Sequence, residues 1–245
     1  MKTQAKTIVI TGASSGIGLA LAGAFLQRGD NVVGNARTAE RLQEAAVSLG
    51  SPDNFLGVAG DVADPSVGTA LVQRAVERFG QVDVLINNAG IFNAKPFVEY
   101  TPDELEALVN TNLKGFVYPS QAAARHMIKR KAGRIISITA SIASAPNQSV
   151  PALLPVLVKG GIDHATRALA LELAPHNIQV TAVAPGIVDT PLYTKDMHGF
   201  LNTLQPAGRI GTTQEIVDAV LYLSGAGFTT GIVLPVDGGM GAGKW

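Results

Sequence analysis

Short apolar runs alternate along the chain with longer stretches whose apolar residues recur every three or four positions. Thr7-Ile8-Val9-Ile10 is the first such run, and Leu19-Ala20-Leu21-Ala22-Gly23-Ala24-Phe25-Leu26 is the first stretch with helical spacing. The pattern repeats, predicting further strands at 31–35, 55–59, 82–86, 134–138, 178–183 and 231–234. Helices are expected at about 38–49, 65–79 and 102–131, with one more long helix ending before Pro175. Asp64 is the expected N-cap of the helix at 65–79, with Pro65 at its first position, where a missing N–H costs nothing. The strand runs are continuously apolar, which suits a parallel sheet covered by helices on both faces. No low-complexity linker or internal repeat divides the chain, so one α/β domain spanning 1–245 is expected.

Composition narrows the functional classes. Lysine plus arginine and aspartate plus glutamate number 19 each, so no net charge draws the chain to nucleic acid or an acidic membrane. Hydrophobic residues make up 47% and charged residues 16%, a balance that suggests apolar surface covered in a homo-oligomer. Cysteine is absent, which excludes a disulfide framework and thiolate metal sites. His126, His164, His176 and His198 lack metal-ligand spacing, so no metal is expected. Met1–Lys6 leads directly into the first strand without a signal-peptide pattern, and no run reaches the roughly 18 apolar residues of a membrane span. A cytoplasmic protein without membrane partners is the expectation.

The first strand is followed by Thr11-Gly12-Ala13-Ser14-Ser15-Gly16-Ile17-Gly18, a glycine turn opening a helix. Glycines allow positive φ and close approach of a ligand, and the free N–H groups of the new helix favour a phosphate. Comparable residues gather at the carboxyl ends of other strands: Ala36-Arg37, Asp61-Val62, Asn87-Asn88-Ala89-Gly90 and Pro185-Gly186. Ligands of open α/β sheets bind at that edge, so these turns together point to a dinucleotide.

Five motifs, in order, resemble the short-chain dehydrogenase/reductase family over essentially the whole chain. They are Thr11-Gly12-x-x-x-Gly16-x-Gly18, Asn87-Asn88-Ala89-Gly90, Asn112 in Asn112-Leu113-Lys114-Gly115, Pro185-Gly186 and Val236-Asp237-Gly238-Gly239. The resemblance implies a doubly wound Rossmann-type domain with a seven-stranded parallel sheet. It also implies a nicotinamide cofactor, hydride transfer between carbonyl and alcohol on a small-molecule substrate, and a homodimer or homotetramer. The implied cofactor-binding residues are Gly12, Ser14, Ser15, Gly16, Ile17, Gly18, Asp61, Val62, Asn88, Ala89, Gly90, Lys159, Pro185, Gly186 and Thr190. Ala36 occupies the position where an acidic residue would bind the ribose 2′-hydroxyl of NAD, and Arg37 follows. A guanidinium fork suits a 2′-phosphate, so NADP(H) is favoured over NAD(H).

The family's proton donor is a tyrosine in Tyr-x-x-x-Lys, assisted by a serine. Here Lys159 matches the lysine, Pro155 stands four residues earlier, and proline has no proton to give. The four tyrosines, Tyr100, Tyr118, Tyr193 and Tyr222, lie outside that segment. Ala140 aligns with the serine, and Ser141 follows it. Candidate catalytic residues are therefore Asn112, Lys159, Ser141 and Tyr193. A desolvated Lys159 could itself donate a proton, or Tyr193 could reach in from a segment covering the substrate. His164 is out of phase with Pro155 on the helix. The rival expectations are a catalytically inactive NADP(H)-binding relative, acting as sensor or partner subunit, and a non-redox use of the same pocket.

Three further features point to packing and helix electrostatics before chemistry. Arg125, His126, Lys129, Arg130 and Lys131 crowd a helix C-terminus, where cations suit the dipole. Gly160-Gly161 suggests close helix packing, and the apolar segment 150–158 suggests a subunit contact or an apolar pocket.

Overall fold

A computed structural model describes residues 5–243, so the expectation for the first residues falls mostly outside the described part. Seven parallel strands form one sheet: β1 (Thr7–Ile10), β2 (Asn31–Ala36), β3 (Phe55–Ala59), β4 (Val84–Asn87), β5 (Gly133–Ile138), β6 (Ile178–Pro185) and β7 (Val233–Val236). Their order is β3-β2-β1-β4-β5-β6-β7. Ile8 pairs with Val32 on one side and with Val84 on the other, so the strand order reverses between β1 and β4. A crevice opens there at the carboxyl edge of the sheet.

Alternation along each strand sends successive side chains to opposite faces. Ile8, Ile10, Ile86 and Ile136 pack under α1 (Gly16–Gln27) and α8 (Thr213–Gly225). Val9, Leu85, Ile135 and Val180 pack under α3 (Pro65–Phe79), α5 (Gly115–Arg130) and α6 (Leu153–Leu173). Both faces are thus covered, which is why the strands read as unbroken apolar runs. The remaining helices are α2 (Ala39–Ser48), α4 (Pro102–Leu108) and the short α7 (His198–Asn202). Asp64 caps α3 by accepting from Ser66 N, with Pro65 in the first turn, as its sequence indicates.

Several boundaries differ from the sequence pattern. The helical stretch at 102–131 is divided, with a π-helical segment at Val109–Lys114 between α4 and α5. Apolar periodicity does not register an extra residue inserted into one turn. β7 lies two residues later than expected, because its register follows Ala182–Pro185 of β6. α8 was absent from the expected elements, although Thr212 and Glu215 form a complete capping box at its start. Gly160 and Gly161 do not serve close packing within the described residues: a β-carbon on Gly161 would meet nothing within 4 Å, and one on Gly160 only Ala143 O at 3.9 Å.

Candidate active-site cleft

The glycine turn after β1 is held in shape by the turn after β4. Gly12 and Gly16 have φ of 66° and 53°, conformations costly for other residues. Thr11 Oγ1 accepts from the N–H groups of Asn88 and Ala89, both at 3.0 Å. Asn88 Nδ2 donates back to Thr11 O at 3.0 Å and Gly12 O at 3.1 Å. Asn88 therefore fixes the turn through its side chain as well as bordering the cleft. Ser15, at the N-cap of α1, makes no side-chain cap, so the first N–H groups of the helix stay available.

Every cofactor-binding residue expected from the sequence lines one cleft of about 750 Å³, except Gly18, which packs behind the turn against Gly12 and Asn88. The charged residues in the lining are Arg37, Arg41, Asp61 and Lys159. Arg41 was missed by the sequence reading; its signal was the four-residue spacing from Arg37 across the start of α2. Both arginines stand at the end where Asn35, Ala36 and Gly60 also border the cleft. Asn35 stiffens that end by donating to Val58 O and Gly60 O, both at 3.0 Å.

Lys159 occupies the other end. Only 8% of it is exposed, and its Nζ donates to Ile138 O at 2.8 Å. Burial pulls its amine down to about 8, against an opposing pull from Asp163. Asn112 is buried in the π-helical segment and does not line the cleft. Its Oδ1 accepts from Ile91 N at 2.9 Å and its Nδ2 donates to Ile91 O at 3.0 Å, so its amide is committed to positioning the loop after β4. It is nonetheless close to the lysine: a β-carbon on Gly90 would lie 2.9 Å from Asn112 Oδ1 and 3.2 Å from Lys159 Nζ.

Ser141 and Ala140 both line the cleft, and the Ser141 hydroxyl points at Met240 Sδ, 3.7 Å away. Pro155 is buried one turn before Lys159 but is not part of the lining. It falls in the first turn of α6, where a missing N–H breaks no helical bond. Tyr193 is the one tyrosine lining the cleft, on the segment between β6 and α7, and burial pushes its phenol up. Tyr100 is spent elsewhere, donating to Asn93 O at 2.6 Å. His164 faces Gly160 O on its own helix and does not line the cleft. Around the lysine end the wall is apolar, with Phe92, Ile142, Val150, Leu201, Leu204 and Met240.

Features away from the cleft are structural. Arg130 binds Val82 O, Gln81 and Asp83, and His126 Nε2 faces Val82 N, so that end of α5 braces the start of β4. Among the described residues no cluster of histidine and acidic side chains could hold a metal, and no helix is long and apolar enough to cross a membrane. The segment 150–158 does two things, since Val150 and Pro151 line the cleft while Leu153 and Leu157 are exposed.

Comparison with known proteins agrees with this geometry. Residues 6–199 match the short chain dehydrogenase family. The 3-oxoacyl-[acyl-carrier-protein] reductase of Escherichia coli is 34% identical over 245 residues, covering 98% of this chain and 99% of the relative. A (2S)-[(R)-hydroxy(phenyl)methyl]succinyl-CoA dehydrogenase subunit of Thauera aromatica is 33% identical, with 98% of each chain covered. Among solved structures, ElxO with NADP bound superposes with a TM-score of 0.91 at 28% identity, covering 98% of this chain and 100% of its own. A Brucella melitensis 3-ketoacyl-(acyl-carrier-protein) reductase complexed with NADH gives 0.89 at 32%, covering 96% and 98%.

Proposed function

This chain belongs to the short-chain dehydrogenase family, and on that premise we propose that it is an NADP(H)-dependent oxidoreductase with Lys159 in place of the usual phenolic acid. The observation that carries the reading is Lys159 itself, buried at the apolar end of the cleft with its amine near 8. A group with that value is protonated at neutral pH and still acidic enough to release its proton.

The cleft suits the cofactor on its own chemistry. Its volume of about 750 Å³, the positive-φ turn and the uncapped start of α1 fit a dinucleotide with its pyrophosphate over Gly12–Ile17. Arg37 and Arg41 would hold a 2′-phosphate. Solved relatives carry NADP in one case and NADH in another, so these two guanidiniums carry the preference for NADP(H). Asp61, Val62, Ala89, Gly90, Pro185, Gly186 and Thr190 would border the remainder, and Lys159 would also reach the nicotinamide ribose.

When bound in this cleft, the reduced nicotinamide would supply the hydride for a carbonyl carbon. Lys159 would deliver its proton to the carbonyl oxygen, and Asn112 would hold the Ile91 loop against that end. Tyr193 and Ser141 would contact the substrate. The apolar wall carries no charge beyond Lys159, so the substrate is an uncharged carbonyl compound with an apolar substituent. Exposed Leu153, Leu157 and Leu171 on α6 support a homodimer or homotetramer.

Pro155 supports a second reading, a catalytically inactive NADP(H)-binding partner subunit: by its spacing from Lys159 it would stand in the place of the family's tyrosine, and one relative is itself named as a dehydrogenase subunit. Calorimetry with NADPH and NADPH oxidation over a panel of apolar ketones test both. Tight binding with turnover lost in Lys159→Ala is the expected result. Binding without turnover on any ketone would favour the partner subunit, and absence of binding would overturn both.

A further inference from the structure

Asp163 lies one turn after Lys159, at the i,i+4 spacing that puts two side chains on one helix face. It is only 3% exposed, and neither carboxylate oxygen has a hydrogen-bond partner among the described residues. The rest of that face of α6 is resolved differently. Thr166 donates to Ile162 O at 2.9 Å, and Ala170 and Leu173 join the apolar layer against the sheet. A buried carboxylate in such a stripe is costly unless something compensates its charge.

The groups around it identify the compensation. Burial pushes the Asp163 carboxyl up, and what opposes it is the Thr139 side chain just after β5 followed by the charges of Arg167, Lys159 and His164 from its own helix. The Arg167 guanidinium lies 3.4 Å from the backbone oxygen of Asp163. Ser137 Oγ on β5 and Asn87 Oδ1 on β4 are also buried without partners. By strand alternation they share the sheet face of Ile135 and Leu85, the face that α5 and α6 cover. Lys159 has one neutral acceptor, Ile138 O, and Pro155 provides no ionisable group one turn earlier. On this face of the helix, Asp163 is the negative charge available to it.

We propose that Asp163 is a positioning residue acting through Lys159: its buried carboxylate keeps the lysine in its charged, proton-bearing form at the closed end of the cleft. No direct ion pair is needed, since Nζ stays on Ile138 O while the carboxylate acts through a medium that screens poorly. The sign follows from elementary electrostatics. A nearby negative charge favours the ammonium, whereas burial favours the neutral amine. The charge coupling stands on its own, while its consequence for catalysis rests on Lys159 being the proton donor.

The test is an NMR titration of the Lys159 side chain in the full chain, with the resonance assigned by its loss in Lys159→Met. The wild-type midpoint is expected at about 8. Asp163→Asn should lower it by about one unit, and Asp163→Glu should restore it. Linkage requires the reciprocal effect, so Lys159→Met should raise the carboxyl midpoint of Asp163 by a similar amount. An unmoved lysine midpoint in folded Asp163→Asn overturns the proposal. If that variant does not fold, an unmoved carboxyl in Lys159→Met overturns it instead. With ketone reduction as the second readout, the basic limb of kcat/KM should fall by the same amount in Asp163→Asn. A lysine midpoint that shifts while the limb stays would uphold the coupling and refute Lys159 as the acid.

Discussion

Gly18→Ala tests how the cofactor turn is built. A β-carbon there would overlap Gly12 O and lie 2.5 Å from Asn88 Nδ2. The first obstacle is backbone, so the β1 turn or α1 must move. The second donates to Thr11 O and Gly12 O, the bonds joining the two turns that floor the cleft. Overpacking costs about 1–3 kcal/mol, and two lost hydrogen bonds about 1 kcal/mol each. The gain in helix propensity returns about 1 kcal/mol, leaving a net loss of about 2–4 kcal/mol. For a chain of this size that is a fall in Tm of about 4–16 °C. Gly23→Ala, in the same helix, is the control: its β-carbon meets only the end of the Leu49 side chain, Cδ2, at 3.3 Å. The propensity term is common to both variants, so their difference isolates the clash. Thermal unfolding gives the stability, and calorimetry with NADPH should show binding weakened tenfold or more. A Gly18→Ala protein with the Tm of Gly23→Ala and unchanged NADPH affinity would refute this account of the turn.

Lys159 should cost stability, because burial holds its folded pKa at about 8, below the 10.5 of a free lysine. The unfolded chain holds the extra proton between those values, so stability rises with pH across that window, and the penalty of about 3 kcal/mol is fully present below pH 8. Lys159→Met should therefore unfold at higher denaturant concentration than wild type at pH 7, with the gain fading towards pH 10.5; equal or lower stability at pH 7 would contradict the burial argument. Arg37→Ala and Arg41→Ala should each weaken NADPH binding about tenfold and leave NADH unchanged, the loss of one charge-assisted contact; equal effects on both cofactors would remove the 2′-phosphate role. Tyr193→Phe should reduce turnover less than fivefold, whereas a fall of about 10² or more would transfer the role of acid from Lys159 to Tyr193.

Much of the architecture was legible in the chain because it is encoded locally. β3 and α3 appear at the positions their residues predict, since a continuous apolar run and an Asp-Pro helix start each act within a few residues. α8 was not among the expected elements, although the Thr212–Glu215 capping box and the helical spacing of Ile216, Val217, Val220 and Leu223 are local signals for it. The π-helical segment left no such trace. Its effect is to bury Asn112 against the Ile91 backbone, a contact between residues 21 positions apart.

For the candidate site, the sequence determined which residue types stand at the carboxyl edge of the sheet: the glycine turn, Arg37, Lys159, and a proline where a phenol was expected. Motif spacing supplies that much, because each turn follows its own strand. Tertiary structure decided what those residues can do. It brought Arg41 into the same lining as Arg37, spent the Asn112 amide on Ile91, placed Tyr193 on the cleft wall, and buried Lys159 and Asp163 one turn apart on α6. The physical reason is that proton affinity depends on desolvation and nearby charge, and both are set by packing between elements far apart in sequence.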